Sequence, residues 1–113
     1  MKQVEKITVK ELAEMSEKMY GQFVKAVVDI DRKIIVVDAE MHVDEEQYLL
    51  ENNSKQENLW GINLYPDKFG TDEFVEFDSM INIRPRAKNY SRSINDENIK
   101  NQIRKIVNET IHE

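Results

Sequence analysis

The chain has 113 residues, of which 40% are apolar and 34% charged, with a formal net charge of −6. This size and composition predict one globular domain over residues 1–113. They exclude an intrinsically disordered chain, which would have fewer apolar residues. The chain has no cysteine, which excludes disulfides, thiolate metal sites and cysteine nucleophiles.

The net negative charge limits the kinds of molecule that the protein is expected to bind. General binding of nucleic acid is disfavoured, because contacts with phosphates need cations. No apolar run approaches the roughly 20 residues that cross a bilayer, and the first residues, MKQVEKITVKEL, lack the apolar segment of a signal peptide. We therefore expect a cytoplasmic protein without membrane contact. Neither a Walker pattern nor GxGxxG occurs, and no cofactor is predicted.

The first predicted element is a helix that begins at Thr8, after a frayed lead-in over residues 1–7. Thr8 and Glu11 have the spacing of a capping box. Gly21 is a suitable helix stop, since glycine adopts the left-handed conformation at low cost. Small and apolar side chains recur at intervals of three and four residues, as in one helix face: Val9, Leu12, Ala13, Ser16 and Met19.

A β-hairpin is predicted next. Two runs rich in β-branched residues, Phe23–Ile30 and Lys33–Met41, flank a polar turn. In the second run, the side chains of Ile35 and Val37 share the more apolar face, which we expect to meet the core. A short helix follows, with Asp44 as its N-cap and an end near Asn52.

A second pair of strands is predicted over Asn58–Tyr65 and Phe74–Arg84, joined by a surface turn that contains Gly70. In the last strand apolar and polar residues alternate, which is typical of a strand with one buried face. Pro85 ends that strand, since proline cannot continue a central ladder. Gly61, inside the preceding strand, indicates a bulge or a close approach of another segment.

The final helix has the clearest apolar stripe of the chain. Asn95 is its predicted cap, and Ile94 and Ile99 have the spacing of a hydrophobic staple. The stripe consists of Ile99, Ile103, Ile106, Val107 and Ile111.

These elements predict an α+β domain of two layers, in the order α-β-β-α-β-β-α. Its antiparallel four-stranded sheet would be built from the two hairpins, with the helices mainly on one face. The opposite face would then carry the polar side chains of Asp38, Glu40, Asn63, Tyr65, Glu76, Asp78, Asn82 and Arg84.

The segment after the last strand reverses the charge of the chain. Residues 79–95, which include the end of that strand, have four cations and no acidic residue. Arginine matches planar carboxylate or phosphate oxygens, and the start of a helix favours anions. We therefore predict a site for a small anionic molecule or an acidic protein group, formed by Arg84, Arg86, Arg92, Asn82, Asn89, Ser91, Asn63 and Tyr65. The plainer interpretation is that these cations balance the acidic faces of their own domain.

Two other classes of function stay open. Asp38, Glu40 and His42 alternate along the chain and could bind a divalent ion. With Glu76 or Asp78 they would suit a small metal-assisted hydrolase or nuclease-like enzyme. The plainer interpretation of the first three residues is a solvated strand end. The third hypothesis is an interaction protein that forms a homodimer through its sheet.

Three segments carry a family resemblance: LWGINLYPD (Leu59–Asp67), EFDSMINIRP with the following NYSR (Glu76–Pro85 and Asn89–Arg92), and the earlier Val24–Glu46. Together they resemble a family of short uncharacterised prokaryotic proteins known only as a domain of unknown function. The resemblance implies a small free-standing prokaryotic protein. It implies no activity, cofactor or catalytic residue.

Overall fold

A five-stranded antiparallel sheet forms the middle of the computed structural model, which describes residues 1–113. The strands are β1 (Lys2–Val4), β2 (Ile7–Thr8), β3 (Val24–Asp29), β4 (Ile34–Val37), β5 (Leu59–Leu64), β6 (Val75–Glu76) and β7 (Ile111–His112). The helices are α1 (Val9–Lys18), α2 (His42–Glu51) and α3 (Glu97–Thr110). The sheet has the order β1-β4-β3-β5-β6, and β2 pairs separately with β7 in parallel.

The first predicted hairpin is confirmed as β3 and β4. Val27 faces Val36 in an antiparallel register, and Lys33 adopts a left-handed conformation (φ 58°) in the turn between the strands. Strand β3 pairs along its full length with β5, from Val24 opposite Leu64 to Asp29 opposite Leu59. The β-branched run of β3 therefore forms the centre of the sheet, where strands are buried on both faces.

The prediction of a four-stranded sheet and a frayed lead-in is wrong. Residues 2–4 form an edge strand, with Lys2 opposite Val37 in β4. Val4 and Ile7 are both buried in the larger core. The open edge of β4 supplies hydrogen-bond partners for the first residues, and burial of two apolar side chains favours this pairing.

The helices cover both faces of the sheet, so the prediction of two layers is also wrong. Helices α1 and α3 bury Leu12, Ile103 and Val107 in the larger core on one face. Helix α2 packs Leu49 on the other face, in a second core with Val27, Val36 and Leu59. The sheet face that was predicted to be polar and open is therefore covered by α2.

Two helices begin at residues other than those predicted. The Thr8 cap of α1 is confirmed, because its side chain accepts a hydrogen bond from the Glu11 N–H. Helix α3 is capped by Asp96, not by Asn95. Helix α2 begins at His42, two residues before the predicted Asp44 cap, and has no side-chain cap. This shift places residues 42, 45, 46 and 49 on its inner face, as their burial shows.

The predicted long strand over Phe74–Arg84 is wrong beyond Glu76. Strand β6 is followed by two short 3-10 turns, Met80–Asn82 and Pro85–Ala87. The fully buried Asn82 replaces the missing strand beside Gly61, because its Oδ1 accepts from the Gly61 N–H at 2.8 Å and its Nδ2 donates to the Gly61 carbonyl at 2.9 Å. The prediction that Gly61 marks a close approach is confirmed.

Of the three helices, none combines the length and apolarity that a crossing of the bilayer demands.

Candidate functional site

The basic segment forms a closed turn beside β5, which we call the basic turn (Arg84–Asn89). Arg84 and Asn89 exchange two backbone hydrogen bonds, with N···O distances of 2.7 and 3.1 Å. Lys88 completes the turn in a left-handed conformation (φ 57°). Arg86 and Lys88 are exposed at its tip. The turn therefore holds cationic side chains on a backbone that is fixed at both ends.

The side chain of Asn89 holds the basic turn against α3. Its Nδ2 donates to the carbonyls of Asn82, Ser91 and Ser93, and its Oδ1 accepts from the Asn95 N–H at 2.8 Å. Asn89 is 3% exposed. Asn82 is fully buried and also donates to the Arg92 carbonyl at 3.0 Å. Both amides are thus committed to the backbone, and neither is free to donate to a ligand.

Arg84 points inward at the base of the turn. Its guanidinium carbon lies 4.3 Å from the centre of the Trp60 ring, and its Nε donates to the Ile81 carbonyl at 3.3 Å. Its Nη1 and Nη2 atoms are buried and have no hydrogen-bond acceptor, and the same holds for Nε1 of Trp60. Three donor nitrogens of one stacked pair therefore lack a partner.

Burial lowers the pKa of Arg84, and the negative charge of Glu46 acts in the opposite direction. The group remains a cation, because an arginine side chain keeps its proton at physiological pH. The four ion pairs of the structure involve neither Arg84, Arg86 nor Lys88. The positive charge of the basic turn is therefore not neutralised by a direct contact within the chain.

A cleft of about 620 Å³ opens next to Arg84. Its volume lies within the range of small-molecule sites, about 300–1,000 Å³. A second cleft of about 240 Å³ lies on the other side of the turn, between Trp60, Lys88 and the start of α3. The larger cleft is lined by Gln56, Glu57, Ile83, Arg84, Pro85, Arg86 and Ala87.

The other predicted ligand residues lie elsewhere. Arg92 forms an ion pair with Asp78, with 2.6 Å between Nε and Oδ1. Asn63 and Tyr65 both donate to Oε1 of Glu76, at 2.8 and 3.0 Å. None of these residues lines the cleft of Arg84, and the exposed Ser91 does not line it either. The structure thus places Arg84 and Arg86 in one cleft. Asn82 and Asn89 lie in or next to the same turn, but their side chains bind the backbone, and the other predicted residues lie outside the cleft.

The alternative metal site, formed by Asp38, Glu40 and His42, does not converge. His42 is buried and its Nε2 lies 2.7 Å from the Ile62 carbonyl, to which it donates. Burial lowers the pKa of His42 and keeps the imidazole neutral. Asp38 and Glu40 line a different, acidic cleft. No group of three or more histidine or carboxylate side chains is arranged to hold a metal ion.

The inner face of α2 also contains two buried carboxyl groups. Glu45 is fully buried, neither of its carboxyl oxygens has a hydrogen-bond partner, and burial raises its pKa well above the usual range. Glu46 is 8% exposed, and its Oε2 also lacks a partner. Their i, i+3, i+4 and i+7 spacing with His42 and Leu49 would have indicated burial, had the helix been started at His42.

Comparison with known proteins gives one match. A family model described as "Protein of unknown function (DUF5674)" matches residues 2–110. No curated protein and no solved structure matches the chain. The predicted resemblance to a family of unknown function is confirmed at this level, and it brings no activity to the chain.

Proposed function

Since the chain belongs to a family of proteins of unknown function (DUF5674), we propose from its own geometry that it binds a small anionic ligand in the cleft beside the basic turn. The carrying observation is that Arg84 and Arg86 line this cleft and that neither forms an ion pair within the chain. The exposed guanidinium of Arg86 would contact the anion directly. Nη1 and Nη2 of Arg84 are inaccessible to solvent, so Arg84 would attract the anion through its charge.

The chemistry of the group favours a carboxylate or a similar planar anion. A guanidinium presents its N–H donors as a flat fork that matches two oxygens of one carboxylate. Arg86 lines the cleft and is exposed, so its fork is open to the ligand. The Trp60 ring, 4.3 Å from the guanidinium carbon of Arg84, holds that second positive charge in place. An acidic group of a partner protein would present the same chemistry.

The plainer interpretation is that the positive charge of Arg84 balances a negative charge of the same chain. Glu46 is the carboxylate that raises the pKa of Arg84. It does not form an ion pair with Arg84 within 4 Å, however, and its own Oε2 is buried and unpartnered. Burial of a charged group costs desolvation free energy, and a direct ion pair offsets that cost. Arg84 and Glu46 do not form such a pair, so the cost of burying each group is not offset.

The test is thermal stability and calorimetric titration with inorganic phosphate, acetate and benzoate at constant pH and ionic strength. A ligand that binds the folded state raises the melting temperature by mass action. We expect a shift in the wild type that Arg86→Gln abolishes and Arg84→Gln reduces. Lys105→Gln removes an exposed cation of α3 that lies outside the cleft, and it should leave the shift unchanged.

Two outcomes would overturn the proposal. The first is that none of the three anions stabilises the wild type. The second is equal stabilisation of wild type and Arg86→Gln, because binding would then be a property of surface charge. Folding of each variant is checked by its melting temperature without ligand. Arg84→Gln should fold, since removal of an unpaired buried cation takes away a desolvation cost.

A further inference from the structure

Helix α2 is held to the sheet by few direct contacts. Its first residue, His42, donates to the Ile62 carbonyl, and the carbonyl of its C-cap residue, Asn52, accepts from Arg32 at 2.7 Å. No ion pair joins the helix to the rest of the chain. Leu49 is its only fully buried apolar side chain and belongs to a core of four buried residues. The other three buried side chains of α2 are all ionisable.

Two of these ionisable side chains are carboxyl groups that lack hydrogen-bond partners. Glu45 is fully buried and neither of its oxygens has a partner, and Oε2 of Glu46 also lacks one. A buried carboxyl group in this position is stable only as the neutral acid, because an uncompensated buried charge costs far more than a neutral polar group. Deprotonation of Glu45 therefore destabilises the docked helix and does not destabilise a helix that is exposed to water.

No cation is placed to stabilise an ionised Glu45 inside the fold. Burial is the main cause that raises the pKa of Glu45 well above its usual range. The Ala39 backbone, Lys25 of β3 and the N-terminal amino group lower that pKa, and Asp44 raises it. Lys25 does not form an ion pair with Glu45 and instead lies over the Tyr20 ring, with its Nζ 4.8 Å from the ring centre.

The remaining ionisable groups on this face do not change that balance. His42 is neutral, because burial lowers its pKa. Arg84 is close enough to Glu46 for the carboxylate to raise the pKa of Arg84, but the two form no ion pair. Strand β4 and the 3-10 turn Met80–Asn82, which also contact α2, contain no charged residue.

Left-handed residues lie at both ends of the segment that carries α2. Asp38 (φ 68°) follows β4 directly, and Asn53 (φ 78°) lies two residues after the helix. Such conformations are uncommon outside glycine and turn the chain sharply. One further hydrogen bond, from the Tyr20 hydroxyl to the Glu40 carbonyl, is exposed, so water can replace it. Residues 38–53 thus form a segment with a sharp bend at each end and few bonds to the rest of the fold.

We propose that α2 is a pH-gated cover of the sheet, which deprotonation of Glu45 releases while the strands stay paired. Release exposes Glu45 to water and uncovers the apolar surface formed by Val27, Val36 and Leu59. The docked helix holds a proton that the released helix loses, so release becomes more favourable as pH rises above 4.5. The equilibrium constant for release rises by up to about tenfold per pH unit, until Glu45 also ionises in the docked helix. Release does not depend on whether the cleft beside the basic turn binds an anion.

The experiment is hydrogen exchange of the backbone amides, followed by NMR on the whole chain without ligand. It is carried out between pH 4 and pH 8, with increasing urea below the unfolding transition, and each rate is corrected for the intrinsic exchange rate at that pH. We expect the α2 amides to share one opening of lower free energy than that of the β3 and α3 amides. This opening should also depend less on urea, because it exposes less surface. Its equilibrium constant should rise by up to about tenfold per pH unit and then level off.

Two variants test the gate itself. Glu45→Gln keeps the approximate shape of the side chain and cannot ionise. Its α2 opening should match that of the wild type near pH 4 and should be at least about tenfold less populated than that of the wild type at pH 8. Glu109→Gln changes an exposed carboxylate of α3 and should follow the wild type at every pH.

Two results would overturn the proposal. If the α2 amides have the same opening free energy and urea dependence as the β3 amides, the helix leaves the sheet only when the whole domain unfolds. If α2 opens separately but with the same pH dependence in the wild type and in Glu45→Gln, Glu45 is not the gate. Neither result bears on the anion site, which is tested by ligand titration.

Discussion

The side chain of Asn82 pairs with both backbone groups of Gly61, as the backbone of a neighbouring strand would. The two hydrogen bonds are 2.8 and 2.9 Å long and fully buried. A Cβ atom on Gly61 would lie 2.5 Å from Cβ of Ser79, so only glycine permits this approach. The pairing holds the segment that leads to Arg84 against β5, and the geometry of the candidate site depends on it.

The first prediction follows from that close approach. Gly61→Ala should destabilise the protein by about 1–3 kcal/mol, the usual cost of forcing an extra methyl group into a packed interior. Urea denaturation measures the change. Ser79→Gly removes the colliding atoms, so the double variant Gly61→Ala with Ser79→Gly should lose less stability than the two single changes predict together. Simple additivity would show that the collision is relieved in another way.

The second prediction concerns Asn89. Asn89→Ala leaves three carbonyls and the Asn95 N–H without their side-chain partner. We expect a loss of at least about 2 kcal/mol, because unsatisfied buried groups retain their desolvation cost. Asn101→Ala, on the exposed face of α3, should change stability by no more than about 0.5 kcal/mol. Equal effects of the two changes in urea denaturation would contradict the structural role of Asn89.

The third prediction is a dependence of stability on pH that comes from Glu45. Its folded-state pKa is raised well above 4.5, because burial disfavours the carboxylate. The folded state therefore holds a proton that the unfolded state releases, and stability falls as pH rises from 4.5 through the folded pKa. The slope reaches about 1.4 kcal/mol per pH unit.

Glu45→Gln tests this effect. The variant should match the wild type near pH 4 and become progressively more stable than it towards pH 8, as measured by melting temperature across that range. Glu109→Gln, an exposed change, should not produce a growing difference. A wild type that remains as stable as Glu45→Gln at pH 8 would show that Glu45 has a partner that stabilises its carboxylate.

The fourth prediction has the opposite sign and comes from His42. Burial is the main cause that lowers its folded-state pKa below 6.5. The unfolded state therefore binds the proton more readily, so the contribution is complete above pH 6.5 and is lost as pH falls below that value through the folded pKa. His42→Leu should remove this acid limb. At pH 8 it should cost about 1 kcal/mol, because the hydrogen bond to the Ile62 carbonyl is lost. An unchanged acid limb would place its origin in other groups.

The elements with local signals were predictable from the sequence. Thr8 with Glu11, the β-branched runs of β3 and β4, and the stripe of α3 each depend on neighbours within a few residues. The pairing of Lys2 with Val37 has no local signal, since it depends on an edge that only the folded sheet provides. The start of α2 was misplaced because Asp44 is a residue type that commonly caps helices. Met41, which precedes the first turn of the helix, is not such a residue.

In the candidate site, too, some features have a local signal in the sequence and others depend on the fold. The charge reversal around Arg84 and Arg86 was visible in the sequence, and the structure gives these two residues a common cleft. Asn82 and Asn89 were predicted to bind a ligand. A side-chain amide that takes the place of a strand leaves no periodic pattern in the sequence, so its role is visible only in the folded structure. Glu57, which lines the same cleft, was missed because it precedes β5 by two residues and meets the basic turn only through the fold.

The parallel pair β2–β7 has a consequence for the order of folding. Ile7 lies opposite Ile111, so this contact closes a loop that contains nearly every other residue of the chain. A contact between residues so far apart in sequence has a large entropic cost of loop closure. It becomes favourable only after the intervening core has brought the two segments together. We therefore expect the pair to form after the transition state, so that Ile111→Val accelerates unfolding and leaves the folding rate almost unchanged. This two-stranded pair would therefore join the two ends of the chain late in folding, after the core has formed.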